Sequence, residues 1–292
     1  MKPPPFEYHA PTTIEEACKI LGQDPDGSKV LAGGQSLVPL LNLRLARADH
    51  IVDLNGIDDL DYVRVDGGSV AIGARTRQDT VERSAEVLES LPVLREALGH
   101  VSHAQIRNRG TVVGSVCHAD PAAELPAVWL ALGGEVTAKS SSGTRTIRPD
   151  DFFKSFLTTA LEPNEIVSEI RFDVTNGATG ASFQEVARRH GDFALIGIVA
   201  QVSLDGDAVS DARIAVFGAG GVPVRASSAE EKLKSNGAAI SDGALDEIAN
   251  DVAGSLSPVD DVHASAEYRR HVAGVLTRRA LAQSFERARN NA

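Results

Sequence analysis

Two stretches of this sequence combine glycines and hydroxyl residues in a way that suits a phosphate. The first, Leu31-Ala32-Gly33-Gly34-Gln35-Ser36-Leu37, is a short apolar strand that runs into paired glycines and a serine. Glycine has no Cβ, so successive backbone N–H groups can converge on one anionic oxygen, and Ser36 can donate a further hydrogen bond. Taken alone, a Gly-Gly turn after a strand reads as a plain tight turn. The stretch matches neither GxGxxG nor GxxxxGK(S/T), which disfavours a Rossmann or P-loop site. The second stretch begins at Ile106-Arg107-Asn108-Arg109 and continues through Gly110-Thr111-Val112-Val113-Gly114-Ser115 to Cys117-His118-Ala119-Asp120-Pro121. Gly110 and Gly114 bracket Thr111, Ser115 adds another hydroxyl, and Asp120 and Glu124 can accept from ribose hydroxyls. Two separated loops can grip a dinucleotide pyrophosphate from opposite sides, which a single loop cannot. A Cβ at Gly33 is expected to point at that pyrophosphate, so Gly33→Val should abolish cofactor retention while leaving folding largely intact.

The elements that must carry these loops follow from periodicity and punctuation. Thr13 is a plausible N-cap for a helix that ends at Gly22. Lys29 to Ala32 reads as a buried strand, Val38 to Leu45 as an apolar run, and His50 to Leu54 as a second strand. Tyr62 to Val65 and Ser69 to Gly73 flank Asp66-Gly67-Gly68, which has hairpin chemistry. Thr80 to Ser90 and Pro92 to Val101 are helical in period, and Thr111 to Cys117 reads as a strand or loop between glycines. Ala122 to Leu132 is an apolar helix, Glu135 to Ala138 pairs with Thr144 to Ile147, and Ile166 to Phe172 closes the unit. The Gly-rich stretch at 175–180 marks a boundary. Beyond it, three strand-like runs, Ala181 to Ala187, Ala194 to Leu204 and Ala208 to Gly218, suit an antiparallel meander. Helical patterns follow at Ala229 to Leu233, Gly243 to Ala253 and Ala266 to Arg287. The expected segments are 1–55, 56–175 and 176–292, in an α+β chain.

Composition excludes several classes. Hydrophobic residues at 42% and charged residues at 24% are ordinary globular usage, so neither disorder nor a membrane class is indicated. No apolar run approaches the roughly 20 residues of a bilayer span. The proline-rich start lacks a basic region followed by an apolar one, which points to a cytoplasmic protein. A net charge of −11 without a basic cluster excludes a nucleic-acid partner. The two cysteines, Cys18 and Cys117, cannot supply the four thiolates an iron–sulfur cluster usually needs. Metal chemistry would therefore sit on a partner.

Several strings resemble one family. Residues 32–46, AGGQSLVPLLNLRLA, 106–115, IRNRGTVVGS, and 118–127, HADPAAELPA, are similar to the FAD-binding medium subunit of the carbon monoxide dehydrogenase and xanthine dehydrogenase family of molybdenum hydroxylases. The likeness continues through Arg188 to Leu195 and near Tyr268-Arg269-Arg270. It implies a two-subdomain α/β FAD-binding domain of the PCMH type, followed by a three-stranded antiparallel sheet with helices. It implies FAD held by Leu31, Ala32, Gly33, Gly34, Gln35, Ser36 and Leu37 on one side. On the other side it implies Ile106, Thr111, Gly114, Ser115, His118, Ala119, Pro121 and Glu124, with Leu161 and Phe193 beside the isoalloxazine. It also implies a large molybdopterin-binding partner carrying the molybdenum cofactor and a small iron–sulfur partner carrying two 2Fe-2S clusters. The assembly implied is a dimer of heterotrimers. The flavin would take electrons from the clusters and pass them to an external acceptor. The alternative is a self-sufficient FAD-dependent oxidase or reductase of the same superfamily.

Two positions depart from the family pattern. Val113 stands where the commonest string has another glycine, and Gln35 stands where some carbon monoxide dehydrogenases have histidine. Blander readings accompany the other candidates. Cys117 reads as a buried small hydrophobe rather than a covalent flavin anchor. His118 either bonds its own loop or touches the cofactor. His100 and His103 read as helix-end or surface residues, and Arg188-Arg189 as a solvated or interface pair. Arg107 and Arg109 are placed to support the loop or to neutralise phosphate.

Overall fold

The computed structural model describes residues 1–292. Its first part holds β1 (Glu7–His9), α1 (Ile14–Leu21), β2 (Ser28–Leu31), α2 (Leu37–Leu43) and β3 (His50–Asp53). Thr13 caps α1 by accepting from the Glu16 N–H, and Ile14, Ala17, Cys18 and Leu21 form its buried face. The strands make a parallel sheet in the order β1-β3-β2. β1 lies in the proline-rich start, where no alternating pattern announces it. The apolar run after Ser36 is α2, which ends at Arg44 in the left-handed conformation.

The middle of the chain contains β4 (Val63–Val65), β5 (Ser69–Gly73), α3 (Gln78–Arg83), α4 (Ala85–Ser90), α5 (Pro92–His100), α6 (Ala104–Arg107), α7 (Val112–His118) and α8 (Glu124–Leu132). It continues with β6 (Glu135–Ser140), β7 (Gly143–Ile147), α9 (Pro149–Phe152), β8 (Phe153–Ser155), β9 (Thr158–Thr159) and β10 (Ile166–Asp173). Five of the strands form an antiparallel sheet ordered β4-β5-β10-β6-β7. The strand expected to close the unit, β10, is therefore its centre. The helical period over 80–90 divides at Ser84, whose hydroxyl caps α4 through the Val87 N–H. The segment expected as a strand or loop between the glycines, Thr111 to Cys117, is instead the short helix α7. Thr111 caps it, and Val112, Val113 and Val116 bury one side. Every residue of α8 is buried, because the helix runs through the molecule's main core; its Trp129 Nε1 donates to the Arg171 carbonyl at 3.0 Å.

The remainder comprises β11 (Thr179–Ala187), β12 (Ala194–Asp205), β13 (Ala208–Phe217), β14 (Val224–Arg225), α10 (Ser227–Asn236), α11 (Asp242–Ser255) and α12 (Ala266–Asn290). The expected three-stranded meander is present, and the two-residue β14 extends it to four strands. A second core lies between this sheet and its helices. Arg269 of α12, 7% exposed, reaches across to the Leu195 and Gly218 carbonyls and to Asp261. No helix is long and apolar enough to cross a membrane.

Candidate functional site

β2 and α7 bring the two glycine-rich stretches to one cleft of about 710 Å³. From the first stretch, Ala32, Gly33, Gly34, Gln35, Ser36 and Leu37 line it. From the second come Ile106, Thr111, Gly114, Ser115 and His118, with Glu124 from the start of α8. Leu161 and Phe193 also face it, and Phe193 is 63% exposed. Three expected residues do not line it. Leu31 packs beneath α2 with Leu41, Ala48 and Ile51. Ala119 is the left-handed cap of α7, and the Pro121 carbonyl accepts from the Gly218 N–H at 2.8 Å. These three hold the wall from behind.

The loops touch each other, which changes the meaning of Gly33. A Cβ there would stand 2.6 Å from the Arg109 carbonyl oxygen and 2.7 Å from Gly110 Cα. It would strike backbone rather than point at a bound pyrophosphate, so the expectation of intact folding for Gly33→Val is corrected. Gly34 has φ +73°, a left-handed backbone that glycine adopts without strain.

A polar latch joins the two sides. Tyr8 donates to Asp53 Oδ2 at 2.5 Å, and Asp53 Oδ1 accepts from the Asn55 N–H at 2.9 Å. Asn55 Nδ2 donates to the Ala32 carbonyl at 2.9 Å. Arg77 bonds Asn55 Oδ1 and donates to the Arg109 carbonyl, and it forms an antiparallel bridge with Thr111. The Gln78 N–H donates to the Gly110 carbonyl at 2.8 Å, while its own buried Oε1 has no partner. Sequence reasoning missed Asn55, Arg77 and Gln78. Asp53-Leu54-Asn55 at the end of a buried strand was the available signal, since polar side chains there must bond something.

α7 starts inside the second stretch. Thr111 Oγ1 accepts from the Gly114 N–H at 3.0 Å, and a Cβ on Gly114 would lie 2.6 Å from that oxygen. Val113 is 4% exposed, within α7, and is not among the positive-φ residues. Glycine-only conformations are therefore not needed at this position. In the first stretch Ser36 precedes α2 without any side-chain cap bond, leaving its hydroxyl free to donate toward the cleft.

The charged residues of the lining are mostly acidic: Asp26, Asp120, Glu124, Glu165 and Asp192. Lys29 is the one Lys or Arg side chain in the lining. Arg107 is committed to Glu82 at 2.7 Å and to the Val101 carbonyl, which makes it a support for the loop rather than a counter-ion. Arg109 contributes its carbonyl to the latch. Burial pushes the Glu124 carboxyl up to about 7. Burial likewise raises Glu185, whose Oε2 has no hydrogen-bond partner, to about 8, and Glu124 adds to that rise. His118 is lowered by burial and is held neutral, and burial pushes the Cys117 thiol up to about 12. Cys117, half-buried and in the cleft lining, is thus held as the protonated thiol. Arg188 and Arg189 pair with Asp192 in their own loop. His190, on that loop, lies with its ring 6.3 Å from those of both His100 and His103.

The residues present fit a dinucleotide. The backbone of Gly33 and Gly34 and the unused Ser36 hydroxyl line the cleft together with Thr111, Gly114 and Ser115, with Gly33 packed directly against the Arg109–Gly110 backbone. The buried Glu124 carboxyl and the exposed Phe193 ring also line the cleft. Residues 4–173 match the FAD binding domain in molybdopterin dehydrogenase, and residues 181–284 match the CO dehydrogenase flavoprotein C-terminal domain. The chain is 40% identical over 290 residues to the 6-hydroxypseudooxynicotine dehydrogenase complex subunit alpha of Paenarthrobacter nicotinovorans, covering 99% of this chain and 97% of that protein. It is 36% identical over 288 residues to caffeine dehydrogenase subunit beta of Pseudomonas sp. (strain CBB1), covering 98% and 97%. A chain in the structure of carbon monoxide dehydrogenase from Hydrogenophaga pseudoflava superposes with a TM-score of 0.94 at 35% identity, covering 98% of this chain and 99% of that one. Two matched domains in order, over a cleft whose chemistry suits the cofactor, place this chain in the family of FAD-binding medium subunits of molybdenum hydroxylases.

Proposed function

We propose that this oxidoreductase subunit is the electron outlet of a heterotrimer. Its FAD takes electrons from two 2Fe-2S clusters on a small partner, after a large molybdopterin-binding partner has oxidised an organic substrate. The electrons then pass to an external acceptor, and the assembly is a dimer of heterotrimers. The reading rests on one observation above the rest: the two glycine-rich loops meet across one cleft within a chain that is alike over nearly its full length to such subunits.

When bound, FAD supplies the redox chemistry; the protein contributes binding and orientation. Backbone N–H groups of Gly33 to Ser36 and the Ser36 hydroxyl would hold the pyrophosphate from one side, with the start of α7 and Ser115 opposite. Glu124 would bond a ribose hydroxyl. Raised to about 7, it is protonated in part at neutral pH and can donate as well as accept. His118 would present a neutral imidazole, and Leu161 and Phe193, which line the cleft, would flank the isoalloxazine. We assign 1–55 and 56–175 to two FAD-binding subdomains and 176–292 to a C-terminal domain.

Native mass spectrometry of the purified complex tests the assignment. The expected result is one FAD per copy of this chain, with a large and a small partner in equal number. A chain that purifies alone, yellow, and oxidises an organic substrate without partners would overturn it.

A further inference from the structure

β1 and β3 lie side by side in parallel, with Glu7 opposite His50 and His9 opposite Val52. Residues two apart on a strand share a face, so Glu7 and His9 project to the same side. There they meet His50: His9 Nε2 lies 3.1 Å from His50 Nδ1, and Glu7 Oε2 lies 3.5 Å from the same nitrogen. Glu7 Oε1 is 4.0 Å from His9 Nε2. All three ligand atoms fall within 4.8 Å of one another. Bonds of about 2.0–2.1 Å from a tetrahedral zinc ion place ligand atoms about 3.3 Å apart, so only small side-chain rotations separate this arrangement from a coordination shell.

We propose that Glu7, His9 and His50 form a binding site for one first-row divalent cation of the zinc type. Two imidazoles and one carboxylate suit such a cation, whereas magnesium and calcium require oxygen ligands. The His50 ring is oriented for the task. Asp24 Oδ2 lies 3.8 Å from His50 Nε2, where a carboxylate favours the proton on that nitrogen and leaves the Nδ1 lone pair for the metal. Asp24 is itself tethered, since its Oδ1 accepts from the Gly27 N–H at 3.2 Å. The Glu7 side chain is 67% exposed, so it can rotate inward, and a fourth position stays open to water.

The consequence is mechanical. Tyr8, on the opposite side of β1, bonds Asp53 and so starts the latch that ends at the two cleft loops. A cation bridging Glu7 and His9 to His50 staples β1 to β3 and fixes Tyr8 in place. None of the three ligands lines the cleft, so the cation would not itself touch the cofactor.

The test uses the full chain without a polyhistidine tag, freed of metal by chelator. Zinc is titrated by calorimetry and cobalt(II) by its visible absorption. One equivalent is expected to bind, to raise the melting temperature, and to give cobalt bands of tetrahedral character. His9→Ala and His50→Ala should each lower affinity at least tenfold. Asp24→Asn should lower it about 10- to 100-fold. Glu7→Gln should weaken binding while leaving the metal-free melting temperature unchanged, because the side chain is exposed. Wild-type affinity in the folded His9→Ala/His50→Ala double variant would overturn the proposal, as would no binding at micromolar zinc. Should the histidine variants fail to fold, unchanged affinity in both Glu7→Gln and Asp24→Asn would overturn it.

Discussion

The first glycine-rich loop keeps polar groups free toward the cleft, whereas the second has consumed or neutralised most of its own. Ser36 stands before α2 with no cap bond, and the loop is held by others, through Asn55 to the Ala32 carbonyl. Thr111, by contrast, is 2% exposed, and its hydroxyl oxygen already accepts from the Gly114 N–H. The Gly110 carbonyl is taken by the Gln78 N–H, and Glu124 on the same side is driven toward its neutral form by burial. The first loop, whose only internal side-chain bond runs from Gln35 Nε2 to the Gly33 carbonyl, leaves Ser36 for a ligand, while the second spends its Thr111 hydroxyl on its own helix and leaves Ser115. Substitutions in the first should register in affinity and those in the second in stability, except where the two loops touch.

Gly33 is that exception and carries the largest expected effect. Valine there sets a Cβ against the backbone of the second loop at 2.6–2.7 Å, which cannot turn aside as a side chain would. We expect loss of bound FAD together with a destabilisation of about 3 kcal/mol, in the range of overpacked sites. Thermal melts with and without FAD, alongside the flavin absorbance per chain, check both. A variant that melts like the wild type but holds no FAD would restore the view that this glycine serves only the ligand.

The buried carboxyls come next. Folding raises Glu124 to about 7 and Glu185 to about 8, from ordinary values near 4.5. Both therefore bind protons in the folded chain that the unfolded chain has released. Their contribution is full below about pH 4.5 and is lost as pH rises through 7 and 8. At about 1.4 kcal/mol per pH unit, Glu124 alone accounts for about 3 kcal/mol across that window. Urea unfolding of the FAD-free chain should show stability falling over this range, with Glu124→Gln and Glu185→Gln each flattening the fall. Identical pH curves for wild type and both variants would remove burial as the controlling effect.

The smallest pair separates the loops most cleanly. Thr111→Ala loses the cap of α7 and should cost about 1 kcal/mol of stability, with Thr111→Ser restoring most of it. Ser36→Ala loses no cap and should leave the urea midpoint unchanged. It should weaken FAD binding about fivefold, the worth of one hydrogen bond near 1 kcal/mol. If Ser36→Ala moves stability as far as Thr111→Ala does, the contrast between the loops collapses.

Much of the architecture was legible because it rests on short-range rules. The Thr13 cap, the Asp66-Gly67-Gly68 hairpin and the three long strands after residue 178 follow from neighbours a few residues apart. α7 was misread for an instructive reason. Gly110 and Gly114 suggested irregular backbone, yet Thr111 with valines at 112, 113 and 116 is a cap followed by an apolar helical face. β1 carries only three residues and takes its regularity from pairing with β3, which lies about 40 residues away in sequence.

What the sequence determined by itself was the chemistry of each loop. Glycine has no Cβ wherever it sits, a threonine can cap the helix it precedes, and the family strings are read without coordinates. What only the tertiary structure decided was which groups face each other. Gly33 abuts Gly110, Asn55 and Arg77 latch the loops, Glu185 is buried near Glu124, and Glu7 and His9 meet His50. Backbone freedom and capping act within a turn or so of chain, whereas close approach, burial and the proton affinities that follow depend on segments packed together from far apart in sequence.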